Sequence, residues 1–189
     1  MIEPIISRFA SASRDATADL IFSAPVATAI GEHSFGDVLQ ALADHESESG
    51  QSHYFSFSKW NGGHSDDAHD GASCIVLEYT KRSSSHVRAI LMEAEWAFYT
   101  FPTKAKRRDA VMFVLPLDEH LNRVEAIRST CIVAALLSVR GLVPACHMHT
   151  YLFRFAPGAI VEFMGGTQFG RSLLEEFCSQ AVDIREWQA

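Results

Sequence analysis

The stretch Cys74-Ile75-Val76-Leu77-Glu78-Tyr79 constrains the fold more than any other part of the chain. An apolar run that short, without polar alternation, is expected as a central strand buried on both faces. Such a strand needs neighbours, and the residues after it supply them. Ser83, Ser84 and Ser85 offer N-caps for a helix whose Val87, Ile90, Leu91 and Ala94 share one side. Residues 96–101 form a second predicted strand and 102–109 a basic turn. Residues 110–117 are a third strand, stopped by Pro116. Asp118 caps the longest helix, about 119–140, with Leu121, Val124, Ile127, Cys131, Ala134 and Ala135 along its apolar side and Gly141 at its end. Two short strands, 151–155 and 160–164, meet at the turn Ala156-Pro157-Gly158.

Residues 74–164 therefore run β-α-β-β-α-β, the order of a ferredoxin-like or RRM-like core in an α/β (α+β) chain. The flanks are expected as N-terminal and C-terminal helical additions. Residues 1–33 are an irregular arm or short helices. Ser34 caps a helix over 35–45, which the polar stretch 46–51 breaks. The alternation from Tyr54 to Trp60 predicts a half-buried strand, 61–71 a loop, and 172–182 a final helix. With 189 residues, 48% of them hydrophobic, one domain spanning 1–189 is the expected organisation.

Charge and cysteine usage narrow the function. No apolar run approaches the roughly 18 residues of a membrane span, and Met1-Ile2-Glu3-Pro4 lacks the basic start of a secretion signal. Cys74, Cys131 and Cys178 lie in apolar stretches, and no CxxC pair occurs, so reduced core thiols and a cytoplasmic location are expected. The formal net charge of −7 argues against nucleic-acid binding spread over the whole surface. Any such contact is local, and Lys104, Lys106, Arg107 and Arg108 are its candidates, with a solvated loop as the bland alternative.

Two clusters have metal-ligand chemistry. His64, Asp66, Asp67, His69 and Asp70 crowd one glycine-rich loop without fixed spacing, which favours a solvated loop. Cys146, His147 and His149 precede a strand; on a strand, 147 and 149 point the same way, so with Glu78 they form a candidate single-metal site. The competing reading is a loop after Pro144 whose histidines bond the backbone. No nucleophile elbow, phosphate loop or dinucleotide fingerprint is present. A divalent metal is the one cofactor left open. Tyr54, Phe55, Phe57 and Trp60 are bunched, as core packing or, if Tyr54 and Trp60 face solvent beside the basic turn, as a base-stacking surface.

Several strands in this core carry motifs that resemble the N-terminal primase-like domain of plasmid and prophage replication proteins, in the archaeo-eukaryotic primase superfamily. The similar segments are 74–80, Ala97-Phe98-Tyr99-Thr100-Phe101, Phe113-Val114-Leu115-Pro116-Leu117, Leu152-Phe153-Arg154-Phe155-Ala156-Pro157 and Ala159-Ile160-Val161-Glu162-Phe163. The resemblance covers about half the chain. It implies a metal site of two acids on the first strand plus a later acid, a Ser-His step that contacts the nucleotide, and an Arg on the third strand. Here those positions fall on Glu78 and Thr80, on the region of His149, on Phe101-Pro102-Thr103-Lys104, and on Met112. Two metals need several carboxylate oxygens, and one acid survives. The resemblance thus implies a replication-associated domain of plasmid or phage origin whose nucleotidyl transfer is lost, with no catalytic residue and Glu78 a relic. It would bind DNA or a replication protein. A protein–protein interaction module acting on a host protein and a small metal-dependent hydrolase built on Glu78, His147 and His149 remain as alternatives. Oligomeric state is not legible.

Overall fold

The computed structural model describes residues 5–10, 21–23, 35–49, 53–61, 69–104, 109–139 and 152–176. Their elements are β1 (Ser7–Ala10), β2 (Ile21–Ser23), α1 (Phe35–Ser49), β3 (His53–Ser56), β4 (Ser58–Trp60), β5 (His69–Thr80), α2 (Lys81–Glu93), β6 (Phe98–Lys104), β7 (Asp109–Leu121), α3 (Arg123–Val139) and β8 (Glu162–Met164). Residues 171–176 add a short helical segment. The class is α+β. No described helix is long and apolar enough to cross a membrane.

The core strands follow the expected chain order, β5-α2-β6-β7-α3-β8. They form one five-stranded antiparallel sheet in the spatial order β4-β5-β7-β6-β8. The last strand lies beside β6, and β4, from the N-terminal part, fills the edge next to β5. A second sheet, β2-β1-β3, completes that part, so the N-terminal addition contains strands as well as α1.

Alternation along the strands separates two cores. Ile75, Leu77, Tyr79, Phe98, Phe113 and Leu115 face α2 and α3, where Val87, Leu91, Ala126, Val133 and Leu137 cover them. Cys74, Phe101, Met112 and Val114 face the other way, under Val38, Leu39 and Leu42 of α1 and the rings of Phe55, Phe57, Phe153 and Phe155. Each fully buried ring contributes about 1.5–3 kcal/mol relative to exposure. Phe57 and Phe153 stack at 5.0 Å with only 8° between their planes. Residues 152–164 run antiparallel along the free edge of β6, pairing Thr103 with Phe155 and Thr100 with Glu162. Between those pairs the chain swings out at Gly158, whose φ is 68°. Gln40 of α1 braces that excursion, donating to the Ala159 carbonyl at 3.1 Å and accepting from the Val161 N–H at 2.8 Å.

Several expectations need correction. The alternating segment 54–60 is two strands, one in each sheet, with Phe57 at the junction. Phe55, Ser56, Phe57 and Ser58 are all buried. Ser56 and Ser58 tolerate this because the Ser58 N–H bonds Ser56 Oγ at 3.2 Å and the Ser58 carbonyl accepts from Ser7 Oγ at 2.8 Å. Helix α1 continues through the polar residues to Ser49, and Thr80, ahead of the three serines, is the N-cap position of α2. Pro116 and Asp118 lie inside β7. Pro116 is opposite Cys74, where the β5–β7 register slips, so its missing N–H falls at an irregularity rather than inside a regular ladder.

The true cap of α3 is Asn122. Its Oδ1 accepts from the Glu125 N–H at 3.1 Å while Glu125 Oε2 accepts from the Asn122 N–H at 3.0 Å, a reciprocal capping pair. Ala126, Thr130, Val133 and Leu137 face the sheet, whereas Cys131 and Val124 are exposed and not core. Thr130 lies buried because its hydroxyl bonds back to the Ala126 carbonyl at 2.9 Å. His69 and Asp70, expected in a loop, begin β5.

Candidate functional site

Of the positions singled out by the family resemblance, Glu78, Thr80, Phe101, Thr103 and Met112 share one sheet face. Glu78 on β5 is paired in register with Met112 on β7, which is paired with Phe101 on β6. In the next row Thr80, Ala110 and Thr103 line up. The small Ala110 leaves room across the row, and Thr103 Oγ1 donates to Glu78 Oε1 at 2.6 Å. Both residues are buried, Glu78 at 4% exposure. Thr80, two residues beyond, shares the face of Glu78 by alternation, and its hydroxyl lies 3.3 Å from Ser83 Oγ at the start of α2. Around Glu78 at these positions, then, stand a thioether, an aromatic ring and two threonine hydroxyls. That set offers a hydrogen bond to the carboxylate, and among the described residues it forms no group of three metal-ligating side chains.

A different chemistry appears on the rim. Phe55 and Phe153 exchange backbone hydrogen bonds at 2.9 Å in both directions, which places Tyr54 opposite Arg154. On its other side Arg154 accepts from the Lys104 N–H at 2.9 Å. Tyr54, Arg154 and Lys104 therefore form one cross-strand row pointing away from the phenylalanine core. The Arg154 guanidinium carbon lies 5.7 Å from the centre of the Tyr54 ring, within cation–π range. Lys104 is exposed at the end of β6. One ring and two cations in a row offer a stacking platform beside phosphate-binding charge.

Of the sequence-predicted site residues, the structure places Glu78 in the sheet interior and Lys104 on the surface. Lys106, Arg107 and Arg108, the candidate ligands His147 and His149, and also Cys146, lie outside the described residues. So do His64, Asp66 and Asp67. From the same loop cluster, His69 is buried with its ring edge-on to Trp60 at 5.2 Å, and Asp70 pairs with Lys59 at 2.6 Å. The Lys59 cation beside Asp70 holds that carboxyl below its usual value. Among the described residues no three histidine, cysteine or acidic side chains gather as a metal-binding group. Trp60 is buried and takes no part in a stacking surface, while Tyr54 is half-buried and can.

Arg154 was missed as a site residue. Its signal was in the alternation Phe153-Arg154-Phe155: two buried rings on a strand send the residue between them to the opposite face.

No family model and no curated protein matches the chain in sequence. Among solved structures it is similar to the AEP domain of the primase-polymerase of cyanophage S-2L, at 14% identity over 94% of this chain and 90% of that one, with a TM-score of 0.49.

Proposed function

We propose that this chain is a primase-like, replication-associated domain that binds single-stranded nucleic acid without performing nucleotidyl transfer. It acts as one domain, in the cytoplasm, in the service of a plasmid or phage element. The observation that carries this reading is the convergence of Glu78, Met112 and Thr103. Positions that the resemblance aligns with acid, arginine and nucleotide-contact residues are adjacent in space, yet they hold a buried acid, a methionine and a threonine. In-line phosphoryl displacement needs metals clamped by several carboxylate oxygens, and among the aligned positions in the described residues the acid is Glu78, buried and hydrogen-bonded to Thr103. Binding is assigned to the row Tyr54–Arg154–Lys104 together with Lys106, Arg107 and Arg108 of the adjoining turn. A base stacked on the Tyr54 ring would gain about 1–3 kcal/mol, and the cations would make the affinity fall steeply with salt.

Fluorescence anisotropy with a labelled oligo-dT strand, at low and physiological salt, tests the reading. Replacing Lys104, Lys106, Arg107, Arg108 and Arg154 by alanine is expected to abolish retention, and Tyr54→Ala to weaken it about tenfold, from the stacking energy. Salt-sensitive affinity that survives these changes would exclude this rim as the interface. Template-dependent nucleotide incorporation by the purified chain with Mg²⁺ or Mn²⁺ would overturn the loss of catalysis.

A further inference from the structure

A cleft of about 280 Å³ opens on the α2 side of the sheet, the face opposite Glu78. Its wall on α2 is Ser84, Ser85 and Arg88, and its floor is Thr100, Pro102, Val111 and Phe113 of β6 and β7, with Ile160 and Glu162 at the far rim. Register explains the floor. Glu162, Thr100 and Phe113 are direct cross-strand neighbours, and Pro102 is paired with Val111 in the next row on that face.

Three observations bear on what fits. Thr100 is only 6% exposed yet lines the cleft. Its hydroxyl can both donate and accept, so it is a polar group at the floor that a ligand atom can meet. Secondly, the stretch from Lys81 to Met92 carries Lys81, Arg82 and Arg88 and no acid. The α2 N-terminus lacks a side-chain cap, so its first N–H groups add positive potential to those cations. Thirdly, Arg88 is held to the far rim by Glu162 at 2.5 Å and by Met164 Sδ at 3.4 Å. That carboxylate occupies the place an external anion would take. The remaining lining is apolar: Pro102, Val111, Phe113 and Ile160.

We propose that this cleft binds a small organic anion, a carboxylate or phosphomonoester on a flat apolar body. The anionic head would displace Glu162 from Arg88 and accept from the Ser85 and Thr100 hydroxyls. The body would lie on Val111, Phe113 and Ile160. The volume falls just under the range of drug-sized sites, which limits the ligand to a compact one. The cleft floor ends at Pro102, two residues before Lys104 on the same face of β6, but none of the rim residues lines it, so its test is separate from that of the nucleic-acid reading.

The test titrates the full chain, ¹⁵N-labelled, with phenyl phosphate, benzoate and benzyl alcohol, following amide shifts. Phenyl phosphate, benzoate or both are expected to shift residues 84–88, 100–102 and 160–162 saturably, and the neutral alcohol to shift none of them. The better-bound anion identifies the head group. Arg88→Gln is expected to weaken binding about tenfold, the value of one charge-assisted contact. Glu162→Gln is expected to strengthen it about two- to fivefold, because the competing surface ion pair is gone. Opposite signs from two partners of one salt bridge are not what a structural role would produce. Thr100→Val and Ser85→Ala are each expected to weaken binding about threefold or more, and they carry the test should Arg88→Gln fail to fold. The proposal is overturned if neither anion gives saturable shifts in these segments. It is equally overturned if the Arg88 and Glu162 variants move affinity the same way, or if Thr100→Val and Ser85→Ala leave it unchanged.

Discussion

Thr103→Val, measured with and without Glu78→Gln, asks what the buried Glu78 carboxyl does. The Thr103 hydroxyl meets Glu78 Oε1 at 2.6 Å, in the short range of a hydrogen bond to an ionised acceptor, and both side chains are at most 4% exposed. Valine keeps the shape and deletes the donor. Loss of a buried hydrogen bond to a charged group costs about 1.5–3 kcal/mol, which for a chain of this length is a fall in Tm of about 2–4 °C per kcal/mol. Glu78→Gln keeps an acceptor for Thr103 and removes the buried charge. The two effects oppose, so this change alone is expected within about 1 kcal/mol of wild type. In that background Thr103→Val breaks a neutral bond worth about 0.5–1.5 kcal/mol. The cycle should therefore show a coupling of about 1 kcal/mol, read from urea denaturation at neutral pH with unchanged m-values. An equal cost in both backgrounds would mean that the bond carries no charge assistance. If Thr103→Val costs under 0.5 kcal/mol, Glu78 is not held by Thr103 in solution. A sealed, structural glutamate would then be the wrong description.

The remaining predictions concern the scaffold. Gly71 has a φ of 140°, and a Cβ there would overlap the Leu121 carbonyl oxygen, so Gly71→Ala should cost about 3 kcal/mol or more; a melting temperature within a degree of wild type would refute the close approach. Tyr79 is buried with no hydrogen-bond partner for its hydroxyl among the described residues, and burial pushes its phenol up. Tyr79→Phe is expected to be neutral or stabilising by up to about 1 kcal/mol, and a loss above that in urea unfolding would mean the hydroxyl is satisfied. Burial pushes the Cys74 thiol up to about 12, the hydrogen bond with Ser73 opposing only in part. Native protein should therefore resist alkylation at Cys74 at pH 8 while exposed Cys131 reacts, as peptide mass spectrometry would show. The sign for stability follows. Between about pH 9 and 12 the unfolded thiol ionises and the folded one does not, so Cys74 contributes a stability that falls as pH rises through that window.

The strands and helices of the core were legible because their periodicity is strong. The run 74–79 is buried on both sides, and Val87 and Leu91 face the sheet as their spacing predicts. What failed was mostly punctuation. Asp118 and Pro116 look like a cap and a stop, but pairing between β5 and β7 extends past both to Leu121. A register slip absorbs the proline, and Asn122 with Glu125 makes the better cap. The side of α3 that the sheet covers runs through Ala126, Thr130, Val133 and Leu137, and the mixed apolar pattern of that helix did not single it out, which is why Cys131 and Val124 were misplaced. In segment 54–60, alternation could not reveal that one half pairs with β1 and the other with β5, because that depends on strands far away in sequence. The rim row was partly legible. Tyr54 and Lys104 could be picked from composition, but the residue joining them, Arg154, is distant in the chain from both and becomes their neighbour only through register.

The division between the sheet interior and its rim follows from what each can hold in water. The face carrying Glu78 is roofed by α1 and by four phenylalanine rings, with Phe101 and Met112 in the sheet beneath them. Desolvating a carboxylate there is unfavourable unless hydrogen bonds compensate, and the short Thr103 contact does so for one oxygen. A second acid at position 80 would add like-charge repulsion at the same place, and a threonine whose hydroxyl turns to Ser83 avoids it. On the rim the opposite constraint applies. Lys104 is exposed and Arg154 half-buried, with the Tyr54 ring against one face of its guanidinium. Reactive chemistry needs charges brought together out of water, whereas recognition of a phosphate backbone needs them spread in a row within its reach. The row Tyr54–Arg154–Lys104 has the arrangement that the proposed binding requires.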